Sequence, residues 1–230
     1  MPRYGYERKN KVISETEFTS LLSSSDKFQF KGCTVLCYYT GARISELLSL
    51  DVDSITISDE AVRILIPNLK QHGKPLDEEL WNKCKGTLIR QNQNHRGLTE
   101  KYLGRGGIVS KEYKYRTLTL PLTLKYIHHF VRYYEDRLKR IEQGKIRTRK
   151  LFGMNRHALN YQLRKARNKS GISDVSFHAF RHGIGTYLAI KGKSAHQISN
   201  FLGHTTLNTS QRYIEQSGII IKDVLGGADI

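Results

Sequence analysis

The sequence is poor in cysteine and has no long apolar run. Three cysteines in 230 residues are too few for the disulfide framework of a small secreted domain. Cys33 and Cys37 lie in an apolar stretch and are typical of core residues, and no second close pair follows Cys84 to complete a zinc site. The charged N-terminus lacks the apolar segment of a secretory signal, and no run approaches the roughly 20 apolar residues of a membrane span. From these absences we expect that the protein is not secreted, does not span a membrane and holds no structural zinc.

Acidic residues are scarce relative to basic ones. Lys and Arg number 38 against 21 Asp and Glu, which gives a formal net charge of +17 and a pI near 9.8. This excess is more than solubility requires and suits a polyanion, so nucleic acid is the first partner to expect. A length of 230 residues with 38% hydrophobic residues predicts one large folded domain or two small ones.

Several motifs of nucleotide and metal chemistry are also missing. No G-x-x-x-x-G-K-[ST] phosphate loop occurs, and Gly104–Gly107 lacks the strand-then-helix context of a dinucleotide site. There is no H-E-x-x-H motif and no acidic cluster of the kind that holds two metals in nucleases. We therefore expect no cofactor and no metal, and any cleavage of nucleic acid has to proceed without them.

The hydrophobic pattern predicts an α+β fold that is mostly α, with one small three-stranded antiparallel sheet. An S-x-x-E capping box at Ser14–Glu17 starts the first helix. Short β-branched or alternating segments predict the strands, and helical spacing predicts the other elements. An apolar segment at 35–39 is followed by a tight turn at 40–42 and a short helix. The predicted strands are 54–57, 61–66 and 115–120. The later predicted helices are 122–141, 154–170, 177–190, 194–202 and 206–214, with a tail from 219.

The residues left to carry chemistry are cations and one tyrosine. They are Arg43, His178, Arg181, His182, His204 and Tyr213. Positions 178, 181 and 182 share one helix face. Guanidinium groups pair bidentately with phosphate oxygens, and two of them flanked by imidazoles can neutralise a phosphoryl transition state as a metal would. Tyr213 is then the candidate nucleophile.

Motifs around these residues resemble those of the tyrosine recombinases, the group of phage integrases and Xer-type recombinases. They are T-G-x-R-x-x-E-L at Thr40–Leu47, H-x-x-R-H at His178–His182, and L-G-H with a following T-x-x-x-Y at Leu202–Tyr213. Each motif alone is weak, but their order and spacing together are specific. The resemblance covers about residues 10 to 215.

The resemblance implies a role for each residue. Arg43 and Arg181 would clamp the scissile phosphate, and His178 and His204 would handle hydrogen bonds and protons on it. Tyr213 would attack phosphorus and leave a 3′-phosphotyrosyl link with a free 5′-hydroxyl. Glu46 would orient Arg43. His182 lies between Phe180 and Ile184 in the sequence, and this position indicates either a core histidine or one that contacts the catalytic residues without touching DNA.

The family also uses a lysine in the hairpin between the second and third strands to protonate the leaving 5′-oxygen. Lys70 ends the second strand, whereas Lys111 and Lys114 precede the third. Residues 71–112 stand where the family has a tight turn and are interpreted as an insertion. We favour Lys70, with Lys111 and Lys114 as alternatives.

The resemblance also implies an organisation and partners. We expect a basic arm at 1–13, a catalytic domain at 14–217 and a C-terminal tail at 218–230, in either a minimal recombinase or a fragment lacking the family's N-terminal DNA-binding domain. The expected partners are double-stranded DNA and further copies of the chain, which form a homotetramer on two DNA sites. The expected location is the cytoplasm, in association with the nucleoid, of a prokaryotic cell or of the host cell of a virus. The tail docks on a neighbouring protomer, or alternatively on its own core.

Two other functions stay open at this point. A type IB topoisomerase uses similar groups, although the L-G-H and T-x-x-x-Y arrangement and the small size favour a recombinase. A non-cutting DNA-binding relative would be expected to have lost one of the two arginines or the tyrosine, and the sequence has all three.

Overall fold

The computed structural model describes residues 12–69 and 115–224, with the backbone alone at 216 and 218–224. The chain divides into two compact units, Met1–Pro67 with Arg116–Ile230, and Asn68–Tyr115. Only three residues of the second unit are described, and the elements that carry the fold belong to the first. Lys70, Lys111 and Lys114 lie outside the described residues, as do the predicted insertion and nearly all of the predicted basic arm.

The described residues form a mostly helical α+β fold with one small sheet, as predicted. The helices are α1 (Glu15–Ser23), α2 (Phe28–Thr40), α3 (Ile44–Ser49), α4 (Ile127–Glu142), α5 (Arg156–Ser170), α6 (Phe177–Ile190), α7 (Ala195–Leu202) and α8 (Leu207–Val224), and the strands are β1 (Ile55–Ile57), β2 (Ala61–Pro67) and β3 (Tyr115–Pro121).

The start of α1 confirms the predicted capping box. The Ser14 hydroxyl accepts a hydrogen bond from the Glu17 backbone N–H at 3.2 Å, and the Glu17 carboxylate accepts one from the Ser14 N–H at 3.0 Å. Two N–H groups that a helix start leaves unpaired are thereby satisfied. The helix then buries Phe18, Leu21 and Leu22 on one face.

The three strands lie in the order β1-β2-β3. β1 and β2 pair antiparallel, with Ile55 opposite Ile64. Sequence spacing started the next helix at residue 122, but α4 begins at Ile127. The Leu122 backbone N–H donates to the Glu60 carbonyl at 2.8 Å. This bond ties residue 122 to the β1–β2 turn, so the chain needs further residues before it can become helical.

An aromatic core holds the helices together. α2 packs against both α4 and α6. Phe18 stacks on Tyr38 with ring centroids 3.8 Å apart and meets Phe180 edge-on at 5.7 Å. Phe30 and Phe130 are also fully buried in this cluster. Because the core includes residues of α3 and α6, it fixes α3, which begins directly after Arg43, relative to α6, which carries Arg181.

The last described helix is longer than predicted. Sequence spacing ended it near residue 214, whereas α8 runs to Val224. Gly218 interrupts the pattern, but a glycine inside a helix costs only about 1 kcal/mol relative to alanine and does not end it. α8 packs against α6 and α7. No helix in the described part of the chain is both long enough and apolar enough to cross a membrane.

Candidate active site

The turn after α2 brings a backbone carbonyl to Arg181. Gly41 closes the helix with φ +58°, a conformation that side-chain-bearing residues rarely adopt. A Cβ at this position would lie 2.5 Å from Ile184 and 2.6 Å from Leu202. Glycine therefore lets the turn approach α6 and α7 closely, and its carbonyl accepts a hydrogen bond from Arg181 Nη1 at 2.8 Å.

Arg181 is a buried cation with an unused donor. Arg181 is 3% exposed, and no described residue accepts a hydrogen bond from its buried Nη2. Burial, and then the nearby positive charge of Arg43, lower the pKa of Arg181 to about 10. The group stays protonated at neutral pH, so the fold holds a positive charge with a donor available to an anion.

Arg43 is fixed from two sides at the start of α3. Its Nη1 donates to Glu46 Oε1 at 2.7 Å and to the Gly203 carbonyl at 3.3 Å, and its backbone N–H donates to Glu46 Oε2 at 3.0 Å. Within the described ranges, its Nε and Nη2 make no hydrogen bond. The contact with Gly203 places Arg43 beside the residue that precedes His204.

A third arginine, Arg116 on β3, reaches the same carboxylate. Its Nη2 donates to Glu46 Oε2 at 2.8 Å. Burial raises the pKa of the Glu46 carboxyl, but Arg116 and Arg43 together outweigh burial and hold the pKa below its ordinary value. Sequence reasoning missed Arg116. The signal was strand alternation, which puts position 116 on the face of the buried Leu118 and Leu120, an unusual place for an unpaired arginine.

His204 lies directly after the end of α7 and is held in one orientation. Gly203 ends the helix with φ +67°, and His204 Nδ1 shares a hydrogen bond of 2.7 Å with the Ser210 hydroxyl. Burial, followed by the charges of Arg181, Arg43 and Arg116, lowers the pKa of His204 to about 4. The imidazole is therefore neutral at pH 7. Ser210, in the first turn of α8, was also missed, because a serine near the start of a predicted helix gives no sign in the sequence that it binds a histidine.

Tyr213 lies on α8, next to His204 and to the middle of α6. Its ring is nearly parallel to that of His204, at 8° with centroids 6.0 Å apart. A Cβ on Gly185 would come within 2.7 Å of Tyr213 Cζ, so the ring depends on glycine there for its place against α6. Burial raises the pKa of the Tyr213 hydroxyl, and Arg181 and Arg43 offset part of that rise.

The two histidines of the H-x-x-R-H motif differ in environment. His178 is exposed, and its ring meets that of His182 edge-on at 4.5 Å. The His182 ring lies 5.5 Å from the Tyr213 ring, and its buried Nδ1 has no hydrogen-bond partner among the described residues. Burial, then the charges of His178 and Arg181, lower the pKa of His182 to about 4. His182 thus lies between His178 and Tyr213.

Arg43, Arg181, His204 and Tyr213 lie close enough together that the two arginine charges act on the pKa values of both His204 and Tyr213. Glu46 accepts a hydrogen bond from Arg43. His178 lies at the edge of this group of residues, whereas the three candidate lysines are outside the described residues. Among the residues that the structure describes, no group of three or more His, Cys, Asp or Glu side chains could hold a metal ion. The arrangement offers an anion two guanidinium groups and a neutral imidazole next to a tyrosine hydroxyl.

Similarity to known proteins extends over most of the chain. Residues 11–218 match the model of the phage integrase family. The tyrosine recombinase XerC of Bifidobacterium longum (strain DJO10A) is 28% identical over 193 residues, which are 84% of this chain and 45% of the relative. XerD of Neisseria meningitidis serogroup A is 22% identical over 219 residues, 93% of this chain and 61% of the relative. This chain thus spans about half the length of the curated relatives that it matches.

Solved structures share the fold. A XerH site-specific recombinase bound to a palindromic difH substrate, in a post-cleavage complex, has a TM-score of 0.58 at 19% identity, covering 96% of this chain and 55% of that chain. The XerA recombinase has a TM-score of 0.57 at 17% identity, covering 92% of this chain and 63% of that chain. Since the family model matches nearly the whole chain, the protein belongs to the phage integrase family of tyrosine recombinases, with distant Xer-type homologues.

Proposed function

We propose that this protein is a site-specific DNA recombinase or integrase that cuts and rejoins DNA strands through a 3′-phosphotyrosyl intermediate. The observation that carries the proposal is the gathering of Arg43, Arg181 and His204 around Tyr213. Two cations with donors that no described residue uses suit the non-bridging oxygens of a phosphodiester. The neutral imidazole and the hydroxyl are the groups that a transesterification needs.

The proposed reaction conserves the number of phosphoester bonds. Tyr213 Oη attacks phosphorus and its proton passes to an imidazole of the site, His204 or His178. The new bond joins Oη to phosphorus while the bond from phosphorus to the 5′-oxygen breaks. The 5′-oxygen leaves with a proton, for which we favour Lys70 as the donor, with Lys111 and Lys114 as alternatives. Attack by a 5′-hydroxyl of a second duplex reverses these steps, so no ATP is consumed.

Arg43 and Arg181 stabilise the charge that develops on the phosphoryl oxygens. The raised pKa of Tyr213 keeps its hydroxyl neutral before DNA binds. We propose that the proton leaves as the bond to phosphorus forms, so that charge accumulates on the phosphoryl group at that moment. Fixed donors aimed at such charge are a large source of catalysis in a site that excludes water.

The proposed partners are double-stranded DNA and further copies of this chain. A net charge of +17 favours a polyanion. Exchange of strands between two duplexes needs four cleavage events, which a tetramer on two DNA sites supplies. We propose that the C-terminal tail, 218–230, docks on a neighbouring protomer in this assembly, as in the expectation from sequence; docking on its own core is the alternative.

The test is the capture of the covalent intermediate. Duplexes with a randomised central segment and a nick on its 3′ side lose the short 5′-hydroxyl fragment after cleavage, so the adduct cannot reverse. We expect a protein–DNA adduct that resists denaturation, forms in EDTA and leaves a free 5′-hydroxyl end. Cleavage that requires magnesium, or DNA binding with no adduct on any duplex, would contradict the proposal. The adducted strands, once sequenced, would define the target.

A relaxation assay separates the recombinase from a type IB topoisomerase. On supercoiled plasmids that carry two copies of the recovered target, a recombinase gives deletion or inversion products. Relaxation of plasmids without the target, with no recombinant products, would favour the topoisomerase.

A further inference from the structure

Arg116 belongs to none of the sequence motifs of the site, yet it shares a carboxylate with Arg43. Glu46 Oε2 accepts from Arg116 Nη2 at 2.8 Å and from the Arg43 backbone N–H at 3.0 Å. Glu46 Oε1 accepts from Arg43 Nη1 at 2.7 Å. Hydrogen bonds from Arg116 and from Arg43 to the Glu46 side chain therefore connect β3 to the start of α3.

The carboxylate at the centre of this connection is buried. The Glu46 side chain is fully buried, and the Arg116 side chain is 10% exposed. A carboxylate removed from water is costly unless hydrogen bonds and opposite charges satisfy both of its oxygens. Without Arg116, Oε2 would keep one backbone donor, and the carboxylate could turn toward other donors or admit water. Arg43 Nη1 would lose its fixed partner as a result.

The charge balance points the same way. Three guanidinium groups and one carboxylate leave a surplus of two positive charges beside the place where an anionic phosphodiester would bind. Arg116 also acts on the pKa of His204 and of Arg181, so it belongs to the same group of residues. A plain structural salt bridge would not need to lie there.

We propose that Arg116 is a positioning residue for strand cleavage, which holds Glu46 in place so that Glu46 aims Arg43 at the scissile phosphate. The inference rests on the proposed function. The rival is direct contact between Arg116 and the phosphate, because its buried Nε and Nη1 have no hydrogen-bond partner among the described residues. The two differ in one respect: a positioning residue acts only while Glu46 is present.

A double-mutant cycle separates the two roles. We compare the rate of adduct formation at saturating DNA in the wild type, R116M, E46Q and R116M/E46Q. R63M is the matched control, since Arg63 is an exposed arginine on the neighbouring strand β2. We expect R116M to slow cleavage on the order of tenfold to a hundredfold, as small misplacements of a reacting group do. R63M should cleave at the wild-type rate.

The double variant decides the mechanism. We expect R116M/E46Q to cleave at the rate of E46Q within about twofold, because Arg116 has nothing to hold once the carboxylate is gone. If R116M slows the E46Q protein by the same factor as the wild type, Arg116 acts on the phosphate directly and the positioning role is overturned. R116K, which keeps the charge but loses the planar fork, should retain part of the rate; a rate below that of R116M would also overturn the proposal.

A second readout needs no DNA and no activity. Nitrogen-15 NMR reports rotation about the Nε–Cζ bond of Arg43, which the bond from Nη1 to Glu46 should slow. We expect faster rotation in R116M and R116K than in the wild type, and no change in R63M. Unchanged rotation in both Arg116 variants would overturn the proposal even if cleavage fell. If the wild type forms no adduct, the proposed function fails, while this measurement still decides whether Arg116 positions Arg43.

Discussion

Two hydrophobic clusters support the two halves of the site, and they differ in size. The large core, which includes Phe18, Phe30, Phe130 and Phe180, packs around the helices that carry the arginines. The small cluster has Tyr213 itself among four buried members, the others being Ala189, Ile198 and Leu202. Segments with few buried apolar contacts open at lower free energy than a large core. The comparison indicates a rigid clamp for phosphate and a nucleophile on a more adjustable support.

The largest expected effect is on the nucleophile. Tyr213→Phe keeps the ring that packs against His204 and Gly185 and removes only the hydroxyl, so adduct formation should fall by at least about 10⁴-fold with little change in unfolding temperature. The measurement is adduct yield on a suicide duplex. Tyr187→Phe, at an exposed tyrosine on α6, is the control and should react normally. An undiminished adduct in Tyr213→Phe would refute the assignment of the nucleophile.

Next in size is the loss of either clamp arginine. Arg43→Ala and Arg181→Ala should each remove about 3 kcal/mol or more of transition-state stabilisation, a rate loss on the order of 10²-fold to 10³-fold. Single-turnover cleavage measures this loss. Arg63→Ala, which removes one charge from the exposed face of β2, should cleave normally. Full activity in either clamp variant would contradict the role of that arginine.

Core substitutions test the difference between the clusters directly. Phe30→Ala in the large core should cost about 3 to 5 kcal/mol of unfolding free energy, and Ile198→Ala in the small cluster about 2 to 5 kcal/mol. Hydrogen exchange should show that Phe30→Ala weakens all helices together, whereas Ile198→Ala first increases exchange in α7 and α8. Equal effects on every helix in both variants would mean that the clusters open as one.

A smaller effect is expected where α6 touches the nucleophile. Gly185→Ala puts a Cβ within 2.7 Å of Tyr213 Cζ, and such overpacking costs about 1 to 3 kcal/mol. The ring should shift and cleavage should slow, while DNA affinity is kept. Among the described residues, Gly183→Ala on the same helix meets Val12 alone, at 3.7 Å, and it should react at the wild-type rate. Equal rates in the two variants would show that Tyr213 does not depend on this contact.

The smallest effect is a dependence of stability on pH in each region. The pKa values of His182 at the site and His129 on α4 are both lowered to about 4, first by burial. Protons bind these groups more tightly in the unfolded chain, so the stability they confer is present above pH 6.5 and is lost as pH falls from about 6.5 toward 4. His182→Gln and His129→Gln should each flatten that slope in denaturant titrations. An unchanged slope would place the pKa of that histidine near its ordinary value.

Much of the fold was predictable because local signals agreed with tertiary packing. The capping box at Ser14 and the spacing of α6 and α7 gave these helices within a residue or two. The predicted start of α4 was wrong because the hydrogen bond from Leu122 to Glu60 depends on a turn far away in the sequence. The predicted end of α8 was wrong because a glycine inside a helix, here Gly218, costs only about 1 kcal/mol relative to alanine and does not end the helix.

The residues of the site could be predicted where sequence motifs and their spacing identify them. They could not be predicted where only contacts in the folded structure identify them. Arg43, Arg181, His204 and Tyr213 could be chosen from the sequence and lie together in the structure. Arg116 is separated from Glu46 by 70 positions along the chain, and its partner becomes evident only when β3 lies beside β2. The roles of these residues, and the choice among the three lysines, stay predictions.

The central claim is that Tyr213 becomes covalently joined to DNA. The most direct test is to trap the adduct on a suicide duplex, digest both protein and DNA, and identify the modified peptide by mass spectrometry. We predict one modified peptide, which carries a 3′-linked nucleotide on the Tyr213 oxygen, in the presence of EDTA. A nucleotide on another residue, or a 5′-phosphate link in place of the 3′ link, would contradict the account.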